Sequence, residues 1–200
     1  MKHYVIIIPG LGDRTTMLRL ATCSWNQYDL TPVIHSANWE NTSESFQQKL
    51  QRLVRQIDSL SKHENFVSLV GTSAGGSMAV NALIQCPNTV QRVINVCGRL
   101  RVGTHHGFRS FELRTNKSPA FAESVKLCEK NEKKLTNTDR KKIMTISALF
   151  GDELVPKNTI IIRGARNTTN PVAGHVFCIA LSVTMFKKSL IEFLKRSYPR

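Results

Sequence analysis

Ser73 stands in Gly71-Thr72-Ser73-Ala74-Gly75, Asp152 in Gly151-Asp152-Glu153-Leu154-Val155-Pro156, and His175 in Gly174-His175. A serine hydroxyl is a weak nucleophile at neutral pH. It needs a base to take its proton, and the base needs a carboxylate to orient it and to stabilise the imidazolium. These three residue types, in the chain order Ser, Asp, His, could supply that chemistry. Glu153 is a second candidate for the acid. His105 and His106 are further candidates for the base, although they precede the acid in the chain. His3, His35 and His63 have no supporting context.

The segment around Ser73 explains why a serine there could react. Val67 to Val70 is an apolar, β-branched run, and small residues continue after Gly75. Strand, Gly-x-Ser-x-Gly and helix together describe a sharp turn that lifts the hydroxyl above a sheet edge. Glycine is needed at the flanks, where a Cβ would strike the neighbouring strand and helix. The serine is expected in a strained conformation, at a helix N-terminus whose dipole favours a developing oxyanion.

The other elements must position these groups. Tyr4 to Ile8 is a continuous apolar run, suited to a strand buried on both faces, and it opens into Pro9-Gly10-Leu11-Gly12-Asp13. A helix is expected over Thr16 to Tyr28 and a strand over Pro32 to His35. The strongest helical periodicity runs from Asn41 to Lys62, with Phe46, Leu50, Leu53, Val54, Ile57 and Leu60 on one face. Gln48, Lys49, Arg52, Arg55 and Gln56 fall opposite, and Asn41 with Glu44 reads as a capping box.

Further strands are expected over Val93 to Cys97, Ile143 to Phe150 and Thr159 to Ile162. A loop follows from Gly164 to Gly174, and one closing helix runs from Val176 to Arg196. Between Gly98 and Lys142 the alternation breaks. Ser118-Pro119 opens a helix carrying Phe121, Val125 and Cys128 on one stripe. That segment, 98–142, is read either as a small cap or lid over a pocket or as an ordinary crossover helix. The sum is an α/β chain: one domain over 1–200, an open, mostly parallel sheet with helices on both faces. Its site is expected beyond the carboxyl ends of the strands.

Composition narrows the partners. A hydrophobic content of 41% with 21% charged residues suits a globular chain with a real core. No apolar run approaches the roughly 20 residues of a membrane helix. The apolar run after Lys2 ends at Pro9-Gly10, too early for a secretory leader. Five scattered cysteines form no close pair, so neither a zinc site nor a disulfide framework is suggested, and reduced thiols in a cytoplasmic protein are expected. The net charge of +14 is spread along the chain, densest at 126–142 and 187–200, with no RNA-binding aromatic motif beside it. Nucleic acid is therefore not the expected partner, while peripheral contact with an anionic membrane stays open.

The Gly-x-Ser-x-Gly elbow, the Asp-x-x-Val-Pro segment, the Gly-His before the last helix and the Pro-Gly loop after the first strand together resemble the α/β-hydrolase superfamily. The resemblance spans nearly the whole chain. It is greatest to the small esterase, lipase and thioesterase members that begin at the third strand of the usual sheet, a reduced form of the fold. It implies Ser73 as nucleophile, His175 as base and then acid, and Asp152 as orienting carboxylate. It implies an oxyanion hole from the backbone N–H groups of Ala74 and Leu11. Pro9-Gly10-Leu11-Gly12 replaces the family's frequent His-Gly, so Leu11 and Gly12 are alternative donors. The implied activity is hydrolysis of a small-molecule carboxylic ester or thioester, its acyl group small or extended, through an acyl-enzyme, with no metal or cofactor. The alternatives are a catalytically silent binding protein on the same scaffold and acyl transfer to an acceptor other than water.

Overall fold

A computed structural model describes residues 1–196. Six strands and eight α-helices follow one another in the order β1 (His3–Ile8), α1 (Thr15–Thr22), β2 (Leu30–Ile34), α2 (Phe46–Leu60), β3 (Phe66–Thr72), α3 (Gly75–Gln85), β4 (Val90–Val96), α4 (Phe111–Thr115), α5 (Pro119–Glu132), α6 (Asn137–Lys141), β5 (Ile143–Ala148), β6 (Arg166–Asn170), α7 (His175–Val183) and α8 (Lys187–Lys195). The strands form one sheet in the order β2-β1-β3-β4-β5-β6, and every pairing is parallel. The chain starts inside the sheet, steps outward to β2, and returns past β1 to β3. That reversal falls between β1 and β3, and parallel sheets of this kind hold their ligands beyond the carboxyl ends of the strands at such a point.

Apolar runs make the central strands because both faces are covered. Val5, Ile7, Val70, Ile94 and Met144 pack with α1, α7 and α8 on one face. Ile6, Ile8, Leu69 and Val93 pack with α2, α3 and α5 on the other. Each fully buried aliphatic side chain contributes about 1.5–3 kcal/mol of transfer free energy.

Several local expectations change. The first helix is α-helical only to Thr22 and continues as a 3-10 turn over Cys23–Tyr28. α2 starts later than its periodicity suggests, with Ser45 and Gln48 forming the capping box. Asn41 instead accepts from the backbone N–H of Ser43, and Glu44 pairs with Arg52 at 3.0 Å. Lys49 is not on the solvent face. It is fully buried, and its Nζ donates to the carbonyls of Asn38 at 2.6 Å and Asn41 at 3.0 Å, tethering the turn before the helix.

No strand forms over 159–162. Thr159 ends a 3-10 turn, and the last strand is the polar Arg166–Asn170 segment, at the sheet edge. The apolar 159–162 run is buried at Thr159, Ile160 and Ile162 without joining the sheet. Nor is the closing helix continuous. Thr184 leaves helical geometry at φ −113° and ψ −77°, and α8 restarts at Lys187. Within 98–142, α5 is the crossover between β4 and β5. Ser124 Oγ lies 2.7 Å from Ser77 Oγ on α3, and Phe121 is buried edge-on against Trp39, ring centroids 5.8 Å apart.

Candidate active site

The turn after β3 is as sharp as the spacing demands. Ser73 has φ +51°, and its N–H is held by the carbonyl of Val96 at 2.9 Å. A Cβ on Gly71 would lie 2.2 Å from the Gly75 carbonyl oxygen, and one on Gly75 would lie 2.2 Å from that of Ile8. Backbone occupies both spaces, so only glycine lets α3 start this close to β1 and β3. Asn95, fully buried on β4, braces the turn from below. Its Oδ1 accepts from the Gly98 N–H at 3.1 Å and its Nδ2 donates to the Gly98 carbonyl at 2.9 Å. A Cβ on Gly76 would overlap the same amide oxygen.

The acid and base arrive from β5 and α7. Asp152 follows β5 and is buried. One carboxylate oxygen, Oδ1, accepts from the N–H groups of Leu154 and Val155, each at 2.8 Å. The other, Oδ2, accepts from His175 Nδ1 at 2.7 Å. On the far side of the ring, His175 Nε2 accepts from Ser73 Oγ at 2.8 Å. The proton is placed on Nδ1, where a carboxylate oxygen accepts, which leaves Nε2 to accept from the serine hydroxyl. Hydroxyl, imidazole and carboxylate thus form an unbroken relay across 102 and 23 residues of chain.

Glu153 does not face the imidazole. Its Oε2 accepts from the backbone N–H of His175 at 2.8 Å, fixing the first turn of α7. His105 and His106 lie in the loop before α4, and both nitrogens of His175 are already engaged with Asp152 and Ser73.

The loop after β1 lies against the nucleophile. A Cβ on Gly10 would stand 2.9 Å from Ser73 Cβ and 3.4 Å from its Oγ. Leu11 and Gly12 follow Gly10 in that loop, and Ala74, the residue after the serine, is the N-cap of α3. The loop is fixed from outside the motif. Trp39 Nε1 donates to the Pro9 carbonyl at 3.2 Å, and Asp13 accepts from the Ala37 N–H at 3.2 Å and from the Ser36 hydroxyl. Trp39 is held in turn by Ser118, whose Oγ donates to its carbonyl at 2.9 Å.

Asn95 and Trp39 are the supporting residues that sequence reasoning does not single out. An asparagine inside an apolar strand, Val93-Ile94-Asn95-Val96, is the one signal that could have marked the first.

Cys97 Sγ, a carboxylate oxygen of Asp152 and a ring nitrogen of His175 lie within 4.8 Å of one another. This does not make a fitting metal site. Both Asp152 oxygens and both imidazole nitrogens are committed to hydrogen bonds. Hydrogen bonding to Cys178, together with burial, also pushes the Cys97 thiol up, so it stays protonated.

No protein-family model matches the chain, and no curated sequence matches it. Solved structures do. The pyrethroid hydrolase PytH is similar with a TM-score of 0.68 at 11% identity, over 96% of this chain and 97% of that one. A hydrolase from Oleispira antarctica gives 0.65 at 10% identity, over 98% and 92%. A monoacylglycerol lipase from Paleococcus ferrophilus gives 0.63 at 11% identity, over 96% and 93%. With its all-parallel sheet, its strand-order reversal between β1 and β3 and these likenesses across nearly its full length, the chain has the α/β-hydrolase fold in a reduced, six-stranded form.

Proposed function

We propose that this protein is a serine hydrolase that cleaves a carboxylic ester or thioester through an acyl-enzyme. The observation that carries this reading is the Ser73–His175–Asp152 relay, at 2.8 Å and 2.7 Å, built on a serine at positive φ. Ser73 Oγ attacks the substrate carbonyl while its proton passes to His175 Nε2. Asp152, held by two amides, orients the ring and stabilises the imidazolium. The backbone N–H groups of Leu11 and Ala74 receive the oxyanion, aided by the N-terminus of α3. The imidazolium protonates the departing alcohol or thiol, leaving the acyl group on Ser73. Water then gives its proton to His175 and its oxygen to the acyl carbon, which releases the acid and restores the serine. This chemistry needs neither metal nor cofactor.

The candidate cap or lid in this reading stays the 98–142 segment apart from the α5 crossover, and its 101–115 stretch is anchored by the buried Arg99 guanidinium on the carbonyls of Val102 and Arg109. The five free cysteines suit a cytoplasmic setting.

The test is labelling with a fluorophosphonate probe, which reacts with activated serines. The parent protein is expected to label, and Ser73→Ala and His175→Ala are not. A folded parent that stays unlabelled would instead favour a silent binding protein on the same scaffold.

A further inference from the structure

The helix that begins with His175 is apolar on its exposed side. From His175 to Phe186 there is no charged residue, and Val176 and Phe177 are 64% and 69% exposed. α7 packs beside α1, where Met17 and Leu20, three residues apart, are 65% and 67% exposed. The turn after β5 adds Leu149 and Phe150. It is hydrogen-bonded to the strand and loop leading into α7, Leu149 N–H to the Asn170 carbonyl at 2.9 Å and Phe150 N–H to that of Val172 at 3.1 Å. α1 follows β1, the turn follows β5 and α7 starts at His175, so all three begin at the carboxyl edge of the sheet. Large apolar side chains gathered on one face, outside any core, mark a surface that meets something apolar.

The charge around this face has one sign over long stretches. No acidic residue occurs from Arg14 to Tyr28 or from Leu154 to Ile191, whereas the exposed cations Arg14, Arg19, Lys157 and Lys188 lie in those stretches. The carboxylates bordering these stretches in the chain, Asp13, Asp29, Glu153 and Glu192, are fewer than the cations within them. Asp13 accepts from Ser36 and Ala37, Glu153 from the His175 N–H, and Asp29 pairs with Lys195 at 3.2 Å. A second copy fits poorly, since two chains of net charge +14 repel. A nucleic acid would use the charge and leave the apolar residues without a partner.

We infer that the α1–α7 face, with the Leu149–Phe150 turn, docks on an anionic lipid surface, presenting Ser73 to acyl lipids at that surface. Apolar side chains enter the headgroup boundary and the flanking cations meet anionic headgroups. This inference rests on the hydrolase reading only for its second half, the choice of substrate.

The experiment uses the Ser73→Ala protein, so that binding is read without turnover. Its co-sedimentation is measured with phosphatidylcholine vesicles containing about 30 mol% phosphatidylglycerol and with phosphatidylcholine alone. Binding to the anionic vesicles is expected at least tenfold tighter and weakened by salt. Adding Met17→Gln, Leu20→Gln and Phe150→Gln should weaken it about tenfold or more, with folding checked by circular dichroism and Tm. Because those changes could disturb packing, Arg14→Gln with Arg19→Gln is a second test and should weaken anionic binding alone. Equal binding by the parent and the triple variant would overturn the inference. So would failure to bind either vesicle, or self-association that the triple variant abolishes, which would make a second copy the occupant. Vesicle binding by a protein whose parent form resists fluorophosphonate would leave the docking face standing and remove the hydrolase reading.

Discussion

Asp152→Asn separates the chemical role of the carboxylate from its structural one. Oδ1 is pinned by the N–H groups of Leu154 and Val155. Those two donors select the amide oxygen of an asparagine for the same position. The amide NH2 must then face His175 Nδ1, where Oδ2 now accepts at 2.7 Å. Two donors cannot face each other, so the imidazole gives up its Nδ1 proton and carries it on Nε2, pointing at Ser73. The ring then cannot take the serine proton. A wrong tautomer of this kind costs about 10⁴-fold in kcat, near 5 kcal/mol of transition-state stabilisation. Stability should change by less than about 1 kcal/mol, because both backbone bonds survive. The assay is p-nitrophenyl ester hydrolysis together with the rate of fluorophosphonate labelling, and urea unfolding reports stability. Activity within tenfold of the parent would refute the reasoning and return Glu153 to consideration as the acid. Asp152→Ala provides the contrast, since it should also cost stability by leaving two buried N–H groups unpaired.

Gly10→Ala should lower kcat/KM about ten- to a hundredfold with little change in Tm, because its Cβ would crowd Ser73 at 2.9 Å; unchanged ester kinetics would exclude that loop from the site. Lys49→Met should lose about 2–4 kcal/mol in urea unfolding by stripping the Asn38 and Asn41 carbonyls of their buried donor, and a neutral result would place Lys49 outside the fold's supports. Burial, aided by Lys195, holds His3 near pKa 4, below its unfolded 6.5. The unfolded chain therefore binds the extra proton as pH falls through that window, and about 2 kcal/mol of stability, after allowance for partial exposure, should be lost between pH 6.5 and 4. His3→Gln should flatten that part of the Tm–pH curve.

Where burial on both faces dictated residue choice, the sequence was legible. β1, β3, β4 and β5 are apolar runs because each lies between two helical layers. The three residues of the relay were legible because their neighbours are specialised, glycines at 71 and 75 and the Gly-His before α7. Elements governed by tertiary partners were hidden. Lys49 looks like a solvated residue until the Asn38 and Asn41 carbonyls are seen to surround it. Arg166–Asn170 has no apolar alternation, because one partner strand is enough to define it. The α7–α8 break leaves no glycine or proline in the sequence to mark it. Trp39 acts through the Pro9 carbonyl, 30 residues away in the chain, and Asn95 through the Gly98 backbone and the space that Gly76 leaves, contacts that spacing does not encode.

That polar last strand has a consequence for how the protein behaves when crowded. A parallel sheet ends in two rows of unpaired backbone groups, and an apolar edge would recruit strands from other molecules. Here one edge carries Arg166 and four further polar residues, three of the five exposed, and the opposite edge carries Pro32, which lacks an N–H to offer. Neither boundary is a good template for sheet extension. A highly apolar interior can therefore be kept in a chain that resists fibrillar growth from its margins.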